Sequence, residues 1–182
     1  MSALAAFAIV PAALLTGAPA AHAATVVSCT GGSGTVGFSR AVPTLLPADI
    51  DVSTTGPVRF AGCSGGGITD AQFTATGSAL AALCLPVVDS FVVAGATGTL
   101  TVTWSGGSGP ATTTVAWAAA AVTQVGPGLS AVEITGATTG GRFHNGVTPA
   151  VFTSLATVAF DSPCTQGATS ATLAGDFVLI TP

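Results

Sequence analysis

Residues 98–117, GTLTVTWSGGSGPATTTVAW, decide the fold. Leucine, valine and tryptophan alternate with threonine in the first half, which is the period of two of a strand with one buried face. Glycine, serine and proline then interrupt the pattern, and it resumes after them. The stretch therefore predicts a β-hairpin in which Leu100 lies opposite Trp117 and Val102 lies opposite Val115, because that register collects the large apolar side chains on one face.

The rest of the chain is divided by glycine and proline into short apolar or alternating runs. About nine or ten short strands with such turns are typical of an antiparallel β-sandwich, immunoglobulin-like or related, and a β-barrel is the alternative. The sequence predicts an all-β domain with no helix of normal length after residue 23.

Four segments carry specific expectations. Two prolines make residues 41–50 an extended linker or an edge segment. Residues 78–85 fit a strand or a short helix, and both remain open. We expect residues 136–146 to form a long glycine-rich loop, and residues 151–160 to form a strand that bends near Ser154.

The first 23 residues have the pattern of a secretory signal peptide. An apolar run is followed by Gly17, Pro19 and the triplet Ala21-His22-Ala23, which is a small-x-small cleavage site. The run is shorter than a membrane span. We therefore expect cleavage after this triplet and a single exported domain of residues 24–182, secreted or associated with the cell surface, with no membrane span after cleavage.

Charge is scarce along the whole chain. Charged residues make up 5%, the formal net charge is −4, and hydrophobic residues make up 49%. The three basic side chains, Arg40, Arg59 and Arg142, are too few to neutralise several phosphates. This composition favours a folded domain over a disordered one and excludes a nucleic-acid-binding protein.

Four cysteines follow the signal peptide: Cys29, Cys63, Cys84 and Cys164. An even number in an exported chain predicts two disulfides, and sequence alone leaves three pairings open. We favour Cys29–Cys63 and Cys84–Cys164, because they join the first strands and tie the C-terminal strand to the middle of the domain. No Cys-x-x-Cys occurs, so we predict neither a metal site nor a cofactor.

Two motifs resemble catalytic or cofactor loops. Residues 32–37, GSGTVG, match the dinucleotide fingerprint, but prolines occupy the segment where its helix would follow. Residues 62–66, GCSGG, match a nucleophile elbow, but glycines cannot begin the helix that an elbow needs. A serine hydrolase would have to combine Ser64 with His144, the only histidine after the signal peptide, and we keep it as an alternative.

Other candidate functional residues are a few carboxylates and the tryptophans. Asp49 and Asp51 have calcium-ligand chemistry, although single turn carboxylates are usually solvated. Trp104 and Trp117 would form a sugar platform if they were exposed, but the alternation favours the core. Together with Arg142 and His144 of the predicted glycine-rich loop, they form our candidate binding surface.

Four features of the sequence together form a recognisable layout. They are the export signal, the first cysteine with its glycine-rich turn (residues 29–34), the central strand (residues 98–104), and the last cysteine before a Thr/Leu/Ala/Gly strand (residues 164–175). In these features the chain resembles small uncharacterised secreted β-sandwich proteins of high-GC Gram-positive bacteria. The resemblance implies export and an all-β fold, and it carries over no catalytic residue.

We therefore expect a non-enzymatic structural or interaction module at the cell envelope or outside it. A carbohydrate-binding or cell-wall-binding module is the first alternative. The expected partner is cell-wall polysaccharide or another envelope protein.

Overall fold

A computed structural model describes residues 24–87, 90–126, 128–144 and 146–181 of the 182-residue chain. The predicted signal peptide, residues 1–23, lies outside the described residues. Within the described ranges no helix has the length and apolar character to cross a membrane.

The described residues form eleven β-strands and one short 3₁₀ helix, η1. The elements are β1 (Val26–Phe38), β2 (Ala48–Thr54), β3 (Val58–Phe60), β4 (Gly62–Ser64), β5 (Ile68–Leu85), β6 (Ser90–Val92), β7 (Gly95–Gly106), β8 (Thr112–Gly126), β9 (Leu129–Gly141), β10 (Val151–Phe160), η1 (Cys164–Gln166) and β11 (Ser170–Ile180).

The strands pair antiparallel throughout. The hydrogen-bonded order is β11-β10-β9-β8-β7-β5-β2-β1, and β1 also pairs with β11 from Val26↔Ile180 to Gly37↔Ser170. We call these eight strands the circuit, because the pairing returns to the strand where it began. β3, β4 and β6 pair onto it at β1 and β5. The predicted all-β antiparallel class is confirmed.

The β7–β8 hairpin has a different register from the predicted one. Leu100 lies opposite Val115, and Trp117 lies opposite Gly98, so the prediction is wrong by two residues. An even shift keeps each side chain on its face, and Leu100, Val102 and Val115 are buried as expected. The observed register places the Trp117 indole over Gly98 and Gly77, where no side chain competes with it for space.

β5 is one long strand, which decides the open alternative at residues 78–85 in favour of strand. The strand is irregular at Ala81, which has a φ of 50°, and its pairing with β2 shifts there. The carboxylate of Asp49 accepts a 2.9 Å hydrogen bond from the Ala81 N–H. Asp49 therefore stabilises a bulge that would otherwise leave a backbone donor unpaired.

The predicted bend near Ser154 is wrong, because β10 alternates regularly between buried and exposed residues. Phe152, Ser154 and Val158 face the interior, whereas Leu155 faces outward and is 65% exposed. The Ser154 hydroxyl donates a 2.8 Å hydrogen bond to the Asp176 carbonyl. That bond satisfies the polar group, so Ser154 keeps an inward place in the alternation between Phe152 and Ala156.

One further expectation needs correction, and another is confirmed. Residues 136–141 belong to β9, so the predicted loop of residues 136–146 begins six residues too early. Gly136 pairs with Trp117 on one side and with Phe152 on the other. Residues 41–47 lie outside the strands, and residues 48–50 belong to β2 but pair with β5 alone, because β1 pairs with β2 only at residues 52–54, so residues 41–50 form the predicted linker and edge segment.

The predicted Cys29–Cys63 disulfide is confirmed. It joins β1 to β4 at a directly paired position, with the two Cα atoms 4.0 Å apart. Cys84 is buried on β5, and η1, which begins at Cys164, lies beside that strand. The Cys164 side chain lies outside the described part of the chain, so the second disulfide stays a prediction.

The interior contains two groups of buried side chains. The larger one includes the aromatic rings of Phe60, Trp104, Phe152 and Phe177, and the smaller one is built around Val42, Ile50 and Cys84. Phe38, Val52 and Phe160 are only partly buried and pack against both groups. The space between the two groups is where the interior is incompletely filled.

Candidate ligand-binding cavity

A cavity of about 110 Å³ lies between these two groups of side chains. Each of the eight circuit strands contributes to its lining, and Phe91 of β6 is added. The polar side chains in the lining are Ser53, Thr54 and Ser154, and no charged side chain lines it. The site is therefore an apolar space within the strand circuit, with few polar groups to orient a ligand.

Small inward residues leave this space open. Strand alternation brings Ala75 and Ala79 of β5, Ala96 near the start of β7 and Ser154 of β10 to the lining. A longer apolar side chain at any of these positions would extend into the cavity and fill part of it. The cavity is thus a direct result of which residues alternate inward.

The apolar lining is incompletely buried. Seven large apolar side chains of the lining keep partial solvent exposure: Phe38, Val52, Phe91, Val93, Trp117, Val132 and Ile134. Side chains packed into a filled core lose nearly all their exposure, as Val102 and Phe177, which do not line the cavity, do at 0% and 1%. The partial exposure indicates that the space is accessible from solvent.

β6 covers part of this space. It pairs with β5 and also lies beside β9, although β7 and β8 separate those two strands in the circuit. The Phe91 ring packs 6.0 Å from Phe38 and 5.7 Å, edge to face, from Phe160. β6 therefore places an aromatic side chain across one side of the cavity.

Trp117 lies across a row of glycines in paired positions. The paired residues are Gly77 of β5, Gly98 of β7, Trp117 of β8 and Gly136 of β9. A Cβ at Gly77 or Gly98 would stand 2.6 or 2.8 Å from Cζ2 of the indole. The ring therefore occupies the volume that side chains at these two glycines would fill, and this holds it against the wall of the cavity.

The indole nitrogen of Trp117 is buried and has no hydrogen-bond partner among the described residues. The Ser130 hydroxyl is a second such atom, but Ser130 does not line the cavity. Trp104 provides the contrast, because its Nε1–H donates a 2.8 Å hydrogen bond to the buried hydroxyl of Thr113. The two indoles thus differ, because only Trp104 has an acceptor among the described residues.

The other residues of the predicted binding surface lie elsewhere. Trp104 is 5% exposed and packs edge to face on Phe143, at 5.2 Å. Arg142 donates hydrogen bonds to the carbonyls of Gly106 at 2.9 Å and Gly66 at 3.3 Å. Arg142 therefore joins the loop before β5 to the end of β7, and of the predicted surface only Trp117 reaches the cavity.

Ser64 and His144 do not hydrogen-bond each other in the described part of the chain. Ser64 is exposed on β4 opposite Ser28, whereas Nδ1 of His144 lies 3.0 Å from the Thr138 carbonyl oxygen. Residues 32–37, which match the dinucleotide fingerprint, lie inside β1 and not before a helix.

Three carboxylates bond to nearby donors. Asp49 accepts from Ala81 N–H, Asp176 accepts a 2.8 Å hydrogen bond from Gly31 N–H, and Asp161 accepts from the Ser170 hydroxyl. No group of three or more potential metal-ligating side chains occurs within the described ranges. These carboxylates therefore stabilise turns, bulges and loops of the fold by accepting hydrogen bonds there.

The cavity has no strong signature in the sequence, because its lining consists of ordinary apolar residues. Two signals were available. Alanines alternate inward in the second half of β5, where a filled core would require larger side chains. Gly98 also precedes a run of β-branched and bulky residues in β7. A glycine in such a strand indicates that a neighbouring side chain occupies the space that a side chain at residue 98 would fill.

The chain matches no protein-family model. No curated protein is significantly similar to it in sequence, and no solved structure is significantly similar to it either.

Proposed function

We propose that the protein is an exported, non-enzymatic binding protein that holds a small apolar molecule inside a closed antiparallel sheet. The observation that carries this proposal is the 110 Å³ apolar cavity lined by all eight circuit strands. The β1–β11 pairing supports a closed sheet, the alternative to a sandwich. An eight-stranded closed sheet has an interior just wide enough to be filled by side chains or to hold one small ligand.

The size of the cavity sets the size of the ligand. An engineered apolar cavity of about 150 Å³ binds benzene or xenon. A cavity of about 110 Å³ has room for a molecule of five or six heavy atoms, or for the end of a longer chain that leaves through the accessible side. Burial of the ligand's apolar surface supplies the binding free energy.

Two observations support the other parts of the proposal, which are export and a non-enzymatic role. The Cys29–Cys63 disulfide is typical of proteins in an oxidising compartment, which fits export. No hydrogen bond joins the candidate nucleophile Ser64 to the candidate base His144 in the described part of the chain, which favours binding over hydrolysis.

The test is a nuclear magnetic resonance titration of the folded protein with benzene. We expect saturable shifts of methyl groups that line the cavity, such as those of Val52, Leu100 and Ile134. Ala75→Leu fills the cavity and should abolish the shifts. Ala116→Leu, on the exposed face of β8, should leave them unchanged.

No saturable shift in the wild-type protein, or equal binding by the Ala75→Leu variant, would overturn the proposal.

A further inference from the structure

Six of the eleven large apolar side chains that are exposed in the described part of the chain belong to one region of the molecule. Their exposed fractions range from 37% to 97%. We call this group the apolar end, and it consists of Leu45, Leu46, Leu80, Leu85, Val87 and Val92. Single exposed leucines are ordinary, whereas a group of them marks a surface that contacts another apolar body.

The loop before β2 forms one flank of the apolar end. The Cys84 N–H donates a 2.7 Å hydrogen bond to the Pro43 carbonyl, and Ala48 pairs with Ala82. These two attachments hold both ends of the loop against the last part of β5. The two leucines between them therefore project from a fixed position, at 89% and 77% exposure.

β6 forms the other flank. It pairs with the same part of β5, with Val92 opposite Leu83. Strand alternation turns Val92 outward, at 39% exposure, whereas its neighbours Phe91 and Val93 line the cavity. The apolar end therefore lies on the outer side of the strand that covers the cavity.

The two segments that carry most of these side chains contain few groups that need water. Residues 41–48, AVPTLLPA, and residues 80–87, LAALCLPV, contain no charged residue, and the nearest charges in the sequence are Arg40, Asp49 and Asp89. Their three prolines have no backbone N–H. Fewer donors therefore lose their water when the leucines enter an apolar medium.

A lipid bilayer fits this surface better than a folded protein partner does. The exposed side chains are all leucine and valine, which are under-represented among the residues that dominate the binding energy of protein interfaces. Side chains that stand almost fully exposed need a matching pocket on a folded partner, whereas fluid acyl chains adapt to them. The formal net charge of −4 disfavours an anionic membrane, so the matching surface is uncharged lipid.

We infer that the apolar end docks the protein on a membrane of neutral lipid, with Leu45 and Leu46 inserted among the acyl chains. The docked protein turns β6, and the cavity behind it, toward the lipid. The inference stands on the exposed side chains and does not depend on a ligand in the cavity.

The first test locates the inserted residues by nuclear magnetic resonance. The protein recovered after export is mixed with phosphatidylcholine nanodiscs that carry a nitroxide on the acyl chain, which broadens the methyl resonances of residues that enter the lipid. We expect strong broadening for Leu45, Leu46 and Val87. Leu155 is the control within the same molecule, because it is 65% exposed on the outward face of β10, and its resonances should stay sharp.

The second test measures affinity by sedimentation with phosphatidylcholine vesicles. Leu45→Gln with Leu46→Gln should weaken partitioning about a hundredfold, because burial of each leucine contributes roughly a factor of ten. The matched control is Val151→Gln with Leu155→Gln, which removes two exposed apolar side chains from β10. Its partitioning should equal that of the wild-type protein.

Four results would overturn the inference. They are equal broadening of Leu155 and Leu45, no binding of the wild-type protein to the vesicles, a dimer in solution that buries the two leucines, and binding that requires phosphatidylglycerol and disappears at high salt. The two measurements on the wild-type protein need no variant. The benzene titration is independent of them, so failure of the cavity as a binding site and failure of the apolar end are distinguishable.

Discussion

Trp117 lies directly opposite Gly98 in the pairing of β8 with β7, and its indole covers the position where a side chain at Gly98 would stand. Gly77 continues the same row on β5. Glycine is unfavourable in a strand interior, since it packs nothing and is conformationally free. Here the missing side chains make room for the one indole that faces the cavity.

Gly98→Ala should destabilise the protein by about 3 kcal/mol, because the new methyl group would stand 2.1 Å from the Thr76 carbonyl oxygen, 2.6 Å from the Gly77 Cα and 2.8 Å from the indole. Gly140→Ala on β9 is the control, since a Cβ there meets nothing within 4 Å. Urea unfolding measures both free energies. Equal stability of the two variants would contradict the close approach of the β5 backbone and the Trp117 indole to Gly98.

The sequence predicted the faces of the strands better than their partners. Alternation in residues 98–104 identified the buried face of β7, because burial follows the period of two. The register depended on Trp117 fitting against glycines on two other strands, and no local pattern contains that information. The cavity was equally hidden, because Ala75 and Ala79 fit a strand pattern whether or not the space beside them is filled.

Thr113→Val should cost about 2 kcal/mol. Thr113 is fully buried, and its hydroxyl accepts the Trp104 indole hydrogen bond, so an isosteric valine leaves that N–H unpaired. Thr101→Val, at an exposed position of β7, should change stability by less than about 0.5 kcal/mol. Thermal unfolding of both variants provides the measurement, and a neutral Thr113→Val would show that the indole has another acceptor.

Removing the Cys29–Cys63 disulfide should destabilise the protein by about 3–4 kcal/mol, because the bridge closes a loop with a sequence separation of 34. The variant is Cys29→Ser with Cys63→Ser, measured by urea unfolding under non-reducing conditions. Peptide mapping of the wild-type protein should recover residues 29 and 63 in one linked fragment, and it also tests the predicted Cys84–Cys164 pair. A free Cys29 thiol in the native protein would contradict the structure.

Arg142→Gln should loosen the end of the domain where two loops meet. The guanidinium bonds the carbonyls of Gly66 and Gly106, and the shorter amide cannot span both. Amide hydrogen exchange should accelerate in residues 65–67 and 106–109, with a loss of about 1 kcal/mol in stability. Arg59→Gln, an exposed arginine on β3, should leave exchange in those loops unchanged.

The interior cavity is tested most directly by diffraction from a crystal pressurised with xenon. Xenon binds apolar cavities of this scale and scatters strongly enough to be located. We predict one xenon site within the strand circuit, in contact with Leu100, Trp117 and Ile134. An interior filled by side chains, or xenon bound only on the outer surface, would contradict the account.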